Sequence, residues 1–252
     1  IHFNLFLMKF LILFLLITPS LAFSQVDFGN QIKKKDMKDV SFYQGADSQG
    51  NTVYGFKIDD KFVGANLIMN KQTGINIFSN YNTKNEMDGT TIVLNQKTGE
   101  VELYTYRKNV KEGPAFQMTA KSVGWSNIFS KGEPTSKQYK VNHSFDYYLP
   151  RNYSTFEGFT YQKYKTSFAI GYFAYGKAAY PIVYIFDDGS SYYGQCIQGL
   201  RKEFGVYFYK DNSTYIGAWD KGSKNGLGFK VDSYGKVTEK GFYDDGELVI
   251  KL

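Results

Sequence analysis

The sequence predicts an all-β protein, an elongated single-layer antiparallel sheet of stacked β-hairpins that forms an open, solenoid-like array. Three observations lead to this prediction. Glycines recur every 23 or 24 residues in the last third of the chain. Between these glycines the residues alternate in twos, which is a strand pattern. Aromatic residues make up 18% of the chain, and 25 Gly stand against 5 Pro; so many large rings exclude a disordered chain.

Charge and rare residues exclude several classes of function. The chain of 252 residues carries a net charge of +6 with only 21% charged residues, which is too dilute to indicate a nucleic-acid binder. One cysteine excludes an intramolecular disulfide framework and a cysteine-built zinc site. The two histidines, His2 and His143, leave little room for histidine-rich metal chemistry. We therefore expect no metal, no cofactor and no nucleic acid.

The first segment has the order of a secretory signal peptide, which we assign to residues 1–24 with Met8 as the initiator. Lys9 provides the positive start, and an unbroken apolar run over 10–17 follows. The alternative is a transmembrane anchor, but the run is far shorter than the roughly 20 residues that a bilayer core requires. The signal predicts export to a periplasm, a cell surface or the medium. Residues 25–45 are polar and are expected to form a mobile tail or a short helix.

A glycine repeat is the strongest signal in the sequence. The leading glycines are separated by 23, 23 and 24 residues: Gly171, Gly194, Gly217 and Gly241. Five residues after each lies another glycine: Gly176, Gly199, Gly222 and Gly246. Two residues after each leading glycine come Phe173, Cys196, Trp219 and Tyr243. Glycine at both positions in every copy indicates four copies of one structural unit.

Each unit is predicted to be a β-hairpin. Alternation in twos, as in Tyr215-x-Gly217-x-Trp219, is typical of a strand, and the residues at 189, 212 and 235 are Gly or Asn, which suit turns. One hairpin cannot bury its apolar face alone, so the units are expected to stack in series. Glycine within a strand leaves room for a close neighbour. We expect aromatic rings of adjacent units to lie flat on this bare backbone.

The unit that begins at Tyr215 resembles the MORN repeat family (membrane occupation and recognition nexus). The resemblance rests on the run Tyr215-Ile-Gly-Ala-Trp-Asp-Lys-Gly-Ser-Lys-Asn-Gly-Leu-Gly228. The other units keep fewer of these residues, and we assign MORN repeats to residues 168–252. The resemblance implies an elongated, curved, single-layered sheet. It also implies a role in protein–protein contacts or self-association, and lipid binding has been proposed for the repeat.

Weaker echoes of the same period lie upstream. Phe56, Tyr81 and Tyr106 are 25 residues apart, and we interpret residues 46–120 as degenerate, slightly longer hairpin repeats. The alternative is an ordinary antiparallel sheet whose hairpins are evenly spaced. Residues 121–150 break the period, and residues 121–167 are expected to form a connector with one partial repeat.

Candidate catalytic groups are few. His143 lacks the surroundings of a catalytic triad, since the sequence has no Gly-x-Ser-x-Gly elbow. Cys196 occupies the aromatic position of its unit, which favours buried packing over thiol chemistry. The carboxylate pairs Asp59-Asp60, Asp187-Asp188 and Asp244-Asp245 lack calcium-binding spacing, and two of them lie at repeat turns, where Asp is chosen for local hydrogen bonds. The protein is therefore not expected to be an enzyme.

The sequence predicts a non-catalytic exported repeat protein that acts as a protein-binding or scaffolding surface. Terminal strand edges of such an array invite self-association. The candidate binding residues are the repeat aromatics, which could instead be core residues: Phe173, Tyr192, Tyr215, Trp219 and Tyr243. One alternative is a peripheral module that binds membrane lipid through Lys33 to Lys35 and the aromatic face, and a glycan is a further candidate ligand. The other alternative is an enzyme with its site in residues 46–160.

Overall fold

The computed structural model describes residues 32–119, 123–135 and 157–252, and these form an all-β protein with one short 3-10 helix. The strands form two antiparallel sheets, one of ten strands and one of nine. In both sheets the strands pair almost entirely in chain order, as successive hairpins do. The prediction of an all-β fold made of repeated hairpins is therefore confirmed.

The first sheet contains the strands from the N-terminal half of the chain. They are β1 (Ser41–Ala46), β2 (Thr52–Ile58), β3 (Lys61–Asn70), β4 (Ile75–Tyr81), β5 (Gly89–Asn95), β6 (Glu100–Arg107), β7 (Val110–Lys111), β8 (Gly113–Met118), β9 (Val123–Ser130) and β10 (Glu133–Pro134). The order is sequential, except that β6 pairs with both β7 and β8. The described part of the interval 46–120, residues 46–119, is thus a row of antiparallel hairpins, and β9 and β10 extend the same sheet into the predicted connector.

The second sheet contains the glycine repeat. Its strands are β11 (Glu157–Lys163), β12 (Ser167–Ala174), β13 (Lys177–Phe186), β14 (Ser191–Ile197), β15 (Leu200–Phe208), β16 (Thr214–Asp220), β17 (Ser223–Val231), β18 (Val237–Asp244) and β19 (Glu247–Lys251). All nine pair in chain order. Strand β11 lies within the predicted connector and forms one edge of this sheet.

Two kinds of turn alternate along the second sheet. The second glycine of each unit lies in a two-residue turn whose central residues both have positive φ, such as Lys221 (48°) and Gly222 (90°), as a type I′ hairpin turn requires. At the opposite end of the strands an aspartate closes three successive turns, at Asp188, Asp211 and Asp232. The Asp211 Oδ1 atom, for example, accepts a hydrogen bond from the backbone N–H of Ser213 at 2.9 Å.

Turns closed by an aspartate or asparagine side chain also occur in the first sheet. There Asp47 Oδ1 accepts a hydrogen bond from the N–H of Gln49 at 2.9 Å, and Asn70 Oδ1 accepts one from the N–H of Thr73 at 2.8 Å. These Asx turns let a side chain replace a backbone partner. The first sheet also has two-residue turns with positive φ at both central residues, such as Asp59 (48°) and Asp60 (61°). The two sheets therefore share both turn types, although their strand residues differ.

The two sheets pack face to face and share one hydrophobic core. Three ring contacts between the sheets mark the interface, with centroid distances of 5.9, 6.0 and 6.0 Å; they join Phe56 to Phe229, Phe78 to Phe208 and Phe116 to Phe159. Across this interface the strand order of one sheet runs opposite to that of the other. The molecule is consequently a sandwich of two layers.

The prediction of a single-layer array is wrong. Each repeat strand carries apolar residues on both faces, as in Tyr215, Ile216 and Gly217, and Ile216 is fully buried between the sheets. A single layer would leave this second apolar face in water, at a cost of about 25 cal/mol for each Å² exposed. The first sheet removes that cost because it covers the face.

One end of the sandwich is covered by residues from the interval predicted as a polar tail. Lys34–Asp39 forms a 3-10 helix, and its Met37 is buried in the shared core. The Lys34 Nζ atom lies 3.6 Å from the Asp244 carboxylate on β18. Residues 41–46 then form β1 at the edge of the first sheet. The described part of this interval is therefore bound to the fold.

Candidate functional site

A row of glycines crosses the outer face of the second sheet, the face that points away from the first sheet. Four successive strands place a glycine at one level, so that the pairs are Gly194 with Gly205, Gly205 with Gly217, and Gly217 with Gly228. Gly241 continues the row on β18. The row leaves a strip of bare backbone across the sheet. The glycines at the first position of each unit therefore serve close packing.

Two tyrosine rings lie on this row. Tyr192 covers Gly194 and Gly205, and its hydroxyl donates a hydrogen bond to the carbonyl of Gln195 at 2.8 Å. Tyr215 covers Gly217 and Gly228, and its hydroxyl bonds to the Ala218 carbonyl at 3.1 Å.

The rings lie on glycines of their own unit, whereas the sequence suggested that rings would cover the glycines of adjacent units. The reason is that each tyrosine comes two residues before its glycine, on the same face of the same strand. Contact between units comes instead from Trp219, whose ring lies 5.4 Å from Tyr192 and 5.3 Å from Tyr215. Its Nε1–H donates a hydrogen bond to the Gly205 carbonyl of the preceding unit at 3.2 Å.

The turn glycines add a second link between units. The Gly222 N–H donates a hydrogen bond to the Arg201 carbonyl at 3.0 Å, and the Gly246 N–H donates one to the Lys224 carbonyl at 2.9 Å. Gly222 thus adopts positive φ and also bonds to the neighbouring hairpin. These contacts repeat with the period of the sequence.

The five residues predicted to bind a ligand belong to one cluster, and all of them are buried. The most exposed of them is Trp219, at 4% of its surface; the cluster contains Phe173, Tyr192, Tyr215, Trp219 and Tyr243. The rings form the floor of the outer face. Side chains that the sequence argument did not select lie over them.

The first of these side chains is Arg201. Its guanidinium lies 4.4 Å from the ring centroid of Trp219 and 5.8 Å from that of Tyr192, within the range of cation–π attraction. One guanidinium N–H also donates a hydrogen bond to the Gly222 carbonyl at 2.6 Å. Arg201 is therefore held between its own unit and the next, and the residue is partly exposed.

Lys224 is the equivalent of Arg201 in the following unit. Both lie seven residues after their leading glycine, Gly194 or Gly217. The Lys224 Nζ atom lies 5.4 Å from the ring centroid of Tyr215 and 4.8 Å from that of Tyr243. Burial lowers the pKa of its ammonium group, because desolvation disfavours the charged form. Two successive units therefore place a cation over the same pair of aromatic positions.

Half-exposed rings continue this face toward the aspartate turns. Tyr207 and Tyr209 are partly buried, with centroids 4.7 Å apart. The Tyr207 hydroxyl lies 2.8 Å from the Ser190 Oγ atom, and the Lys230 Nζ atom lies 4.9 Å from the Tyr209 ring centroid. The outer face is thus aromatic at its floor and cationic above it.

The cysteine and the carboxylate pairs singled out in the sequence lie in the core or near turns. Cys196 is fully buried among the aromatic rings, and burial raises the pKa of its thiol well above the ordinary value. Asp59, Asp60 and Asp245 lie in tight turns at positive φ. Asp188 accepts a hydrogen bond from the Ser190 Oγ atom at 2.6 Å, and this bond lowers the pKa of the carboxyl. His143 and residues 1–24 lie outside the described residues.

The chain matches no protein-family model and no curated protein. No helix formed by the described residues has the length and apolar character of a bilayer-spanning segment. In the same parts of the chain, no group of three or more His, Cys, Asp or Glu side chains is arranged to hold a metal ion. The likeness to MORN repeats therefore rests on the residues quoted above.

Proposed function

We propose that this chain is an exported, non-catalytic repeat protein whose second sheet presents a protein-binding surface on its outer face. The observation that carries the proposal is the repetition of one arrangement, a cation over two aromatic rings, at Arg201 and at Lys224. Arginine and aromatic residues are enriched in protein interfaces and dominate their binding energy. The first sheet covers the opposite face, so among the described residues the outer face is the broad surface of the second sheet that is left for a partner.

We also propose that the units of the second sheet are of the MORN type. The support is that the glycines of the resemblance have distinct physical roles. Gly217 and Gly228 leave room for the ring of Tyr215, and Gly222 adopts the positive φ of the turn. Packing against the first sheet distinguishes this chain from the single layer that the resemblance implies.

The test is affinity capture from the exported protein fraction of the source cells, with the full chain as bait. The proposal expects one protein to be retained in a fixed ratio to the bait at physiological salt. A His143→Ala bait serves as the control for the enzyme alternative, because a binding protein keeps its partner when this side chain is removed. Retention of no protein in a fixed ratio would contradict the proposal.

Anionic lipid vesicles serve as the comparison for the membrane alternative. The lysine run gives this alternative its charge, but Lys34 already pairs with Asp244 at 3.6 Å. Electrostatic attachment to a membrane weakens as salt rises. Sedimentation of the chain with vesicles, lost at high salt and lost in a Lys33→Gln, Lys35→Gln variant, would favour the membrane alternative instead.

A further inference from the structure

Two equivalent cation sites lie on the outer face of the second sheet. The Arg201 site comprises Arg201 over Tyr192 and Trp219, and the Lys224 site comprises Lys224 over Tyr215 and Tyr243. Each site contains a tyrosine from its own unit and an aromatic residue from the next. The repeat therefore builds the same site twice.

Neither cation is neutralised by an ion pair among the described residues. The ion pairs in that part of the chain are those of Lys34 with Asp244 and of Lys202 with Asp220. The face does carry Glu239, which accepts a hydrogen bond from the Tyr243 hydroxyl at 2.9 Å and raises the pKa of Lys224. Lys230 faces the same region and acts on that pKa in the opposite sense. Two further carboxylates act on these sites: Glu247 raises the pKa of Lys224, and Glu203 raises the pKa of the Tyr192 hydroxyl. Because the ion pairs of the described residues do not include Arg201 or Lys224, each cation can still bind an anionic group of a ligand.

The spacing of the two sites follows from the sheet. Arg201 is on β15 and Lys224 is on β17, with β16 between them. The strand pairing shifts register after each leading glycine, between Gly194 and Cys196 and between Gly217 and Trp219. Just past this shift Cys196 pairs with Arg201, and Trp219 pairs with Lys224. The two cations therefore lie at the same level of the sheet. Two inter-strand spacings separate them, which is about 10 Å.

We propose that the two sites bind two carboxylates, spaced about 10 Å apart, on an acidic segment of a partner protein; this inference rests on the proposed protein-binding function. A polyproline II segment meets this spacing, because residues three apart lie on one side and are separated by about 9 Å. The aromatic walls of each site favour a ligand with apolar surface beside its charges. The charge of the face is carried by a few fixed cations, which suits a defined segment better than a membrane surface.

The probe is a synthetic peptide of five Glu-Pro-Pro repeats, compared with a peptide of the same composition whose glutamates are all adjacent. Binding is measured by calorimetry on the full chain. Trp219 emission in a Trp125→Phe background provides a second readout, since Trp219 lies under Arg201. We expect the spaced peptide to bind at least ~10-fold more tightly than the block peptide, which corresponds to about 1.4 kcal/mol.

Matched variants locate the binding site. Arg201→Gln with Lys224→Gln should weaken binding of the spaced peptide by ~10-fold or more, because both charges are removed. Lys210→Gln with Lys221→Gln removes the same charge from exposed turn residues and should weaken it by less than ~2-fold. Arg201→Lys keeps the charge and should retain most of the affinity, which separates loss of a contact from loss of folding.

Four results would overturn the inference, and a fifth would count against the proposed function. Equal binding of the two peptides, equal losses in the two double variants, or binding to anionic vesicles but to neither peptide would overturn the inference. Retention of a stoichiometric partner by both the wild-type and the Arg201→Gln, Lys224→Gln baits would overturn it as well, while the proposed function would stand. Failure of every bait to retain a partner would instead count against the proposed function.

Discussion

Gly228 lies under the ring of Tyr215, and one added methyl group there should be costly. A Cβ atom at Gly228 would lie 2.6 Å from the Tyr215 Cζ atom and 2.7 Å from Cε2. Ordinary carbon contacts are about 3.5 Å or longer, so the ring has to move by roughly 0.9 Å. Overpacking of this kind costs about 1–3 kcal/mol. Displacement also breaks the bond from the Tyr215 hydroxyl to the Ala218 carbonyl, worth about 1 kcal/mol.

The expected loss for Gly228→Ala is therefore about 2–4 kcal/mol in the free energy of unfolding, measured by urea denaturation. The ring is the cause only if the loss disappears with the ring. In a Tyr215→Ala background the same substitution should cost less than about 0.5 kcal/mol, so the double-mutant cycle should give a coupling of about 1.5–4 kcal/mol. An equal cost in both backgrounds would refute the reasoning.

Four further predictions concern single side chains. Gln195 is fully buried, and neither of its amide atoms has a hydrogen-bond partner in the described part of the chain. Gln195→Met should therefore raise the free energy of unfolding by about 1–2 kcal/mol, whereas Gln44→Met on the exposed edge should change it little. Lys221→Asn should stabilise the protein by about 0.5 kcal/mol or more, because type I′ turns prefer Asn-Gly. Cys196 is buried with a raised pKa, so its reaction with a thiol reagent should follow urea unfolding. Burial raises the pKa of the Tyr192 hydroxyl well above 10.0, so near pH 10 only the unfolded chain loses this proton. The free energy of unfolding should therefore fall as the pH rises above about 10, and it should fall less steeply in the Tyr192→Phe variant.

Each of these predictions has a clear contrary result. A Gln195→Met variant that is less stable than wild type would mean that the Gln195 amide has hydrogen-bond partners in the folded protein. Melting of Lys221→Asn below the wild-type temperature would exclude the assigned turn. Rapid modification of Cys196 in native buffer would place the thiol at the surface. An identical alkaline loss of stability in wild type and Tyr192→Phe would show that this hydroxyl does not contribute.

The hairpin repeat could be predicted from sequence because its glycines have backbone roles that other residues cannot fill. Gly222 adopts a φ of 90° in a tight turn, and the period of such turns is visible without any structure. Gly217 leaves space for a ring, and a tyrosine lies two residues before two of the four leading glycines, Tyr192 before Gly194 and Tyr215 before Gly217. A local conformational requirement of this kind appears directly as residue identity.

The second layer could not be predicted with the same reasoning, although a signal was present. Directly beside the glycine positions 217 and 228 lie Ile216 and Phe229, both fully buried. Apolar residues on both faces of a strand indicate a sheet that is covered on both sides. The glycine pattern accounted for only one of these faces. What covers the other depends on contacts between distant segments, such as Phe56 with Phe229, which no local pattern encodes.

The two cation sites could be predicted from the sequence only in part. Arg201 and Lys224 share the same offset from Gly194 and Gly217, so their equivalence was visible. Their position over the rings was not, because it depends on register shifts after both glycines. The aromatic residues were predicted to bind the ligand instead, and they form the buried floor beneath the cations.

The packing of the two sheets is tested most directly by nuclear Overhauser contacts between phenylalanine rings. In the folded structure the ring centroids of Phe56 and Phe229 are 5.9 Å apart, and those of Phe78 and Phe208 are 6.0 Å apart. A sample with labelled phenylalanine, assigned with single Phe→Leu variants, should show cross-peaks for both pairs. Strand-to-strand contacts within each sheet, without any cross-peak between these rings, would contradict the sandwich and leave an open single layer.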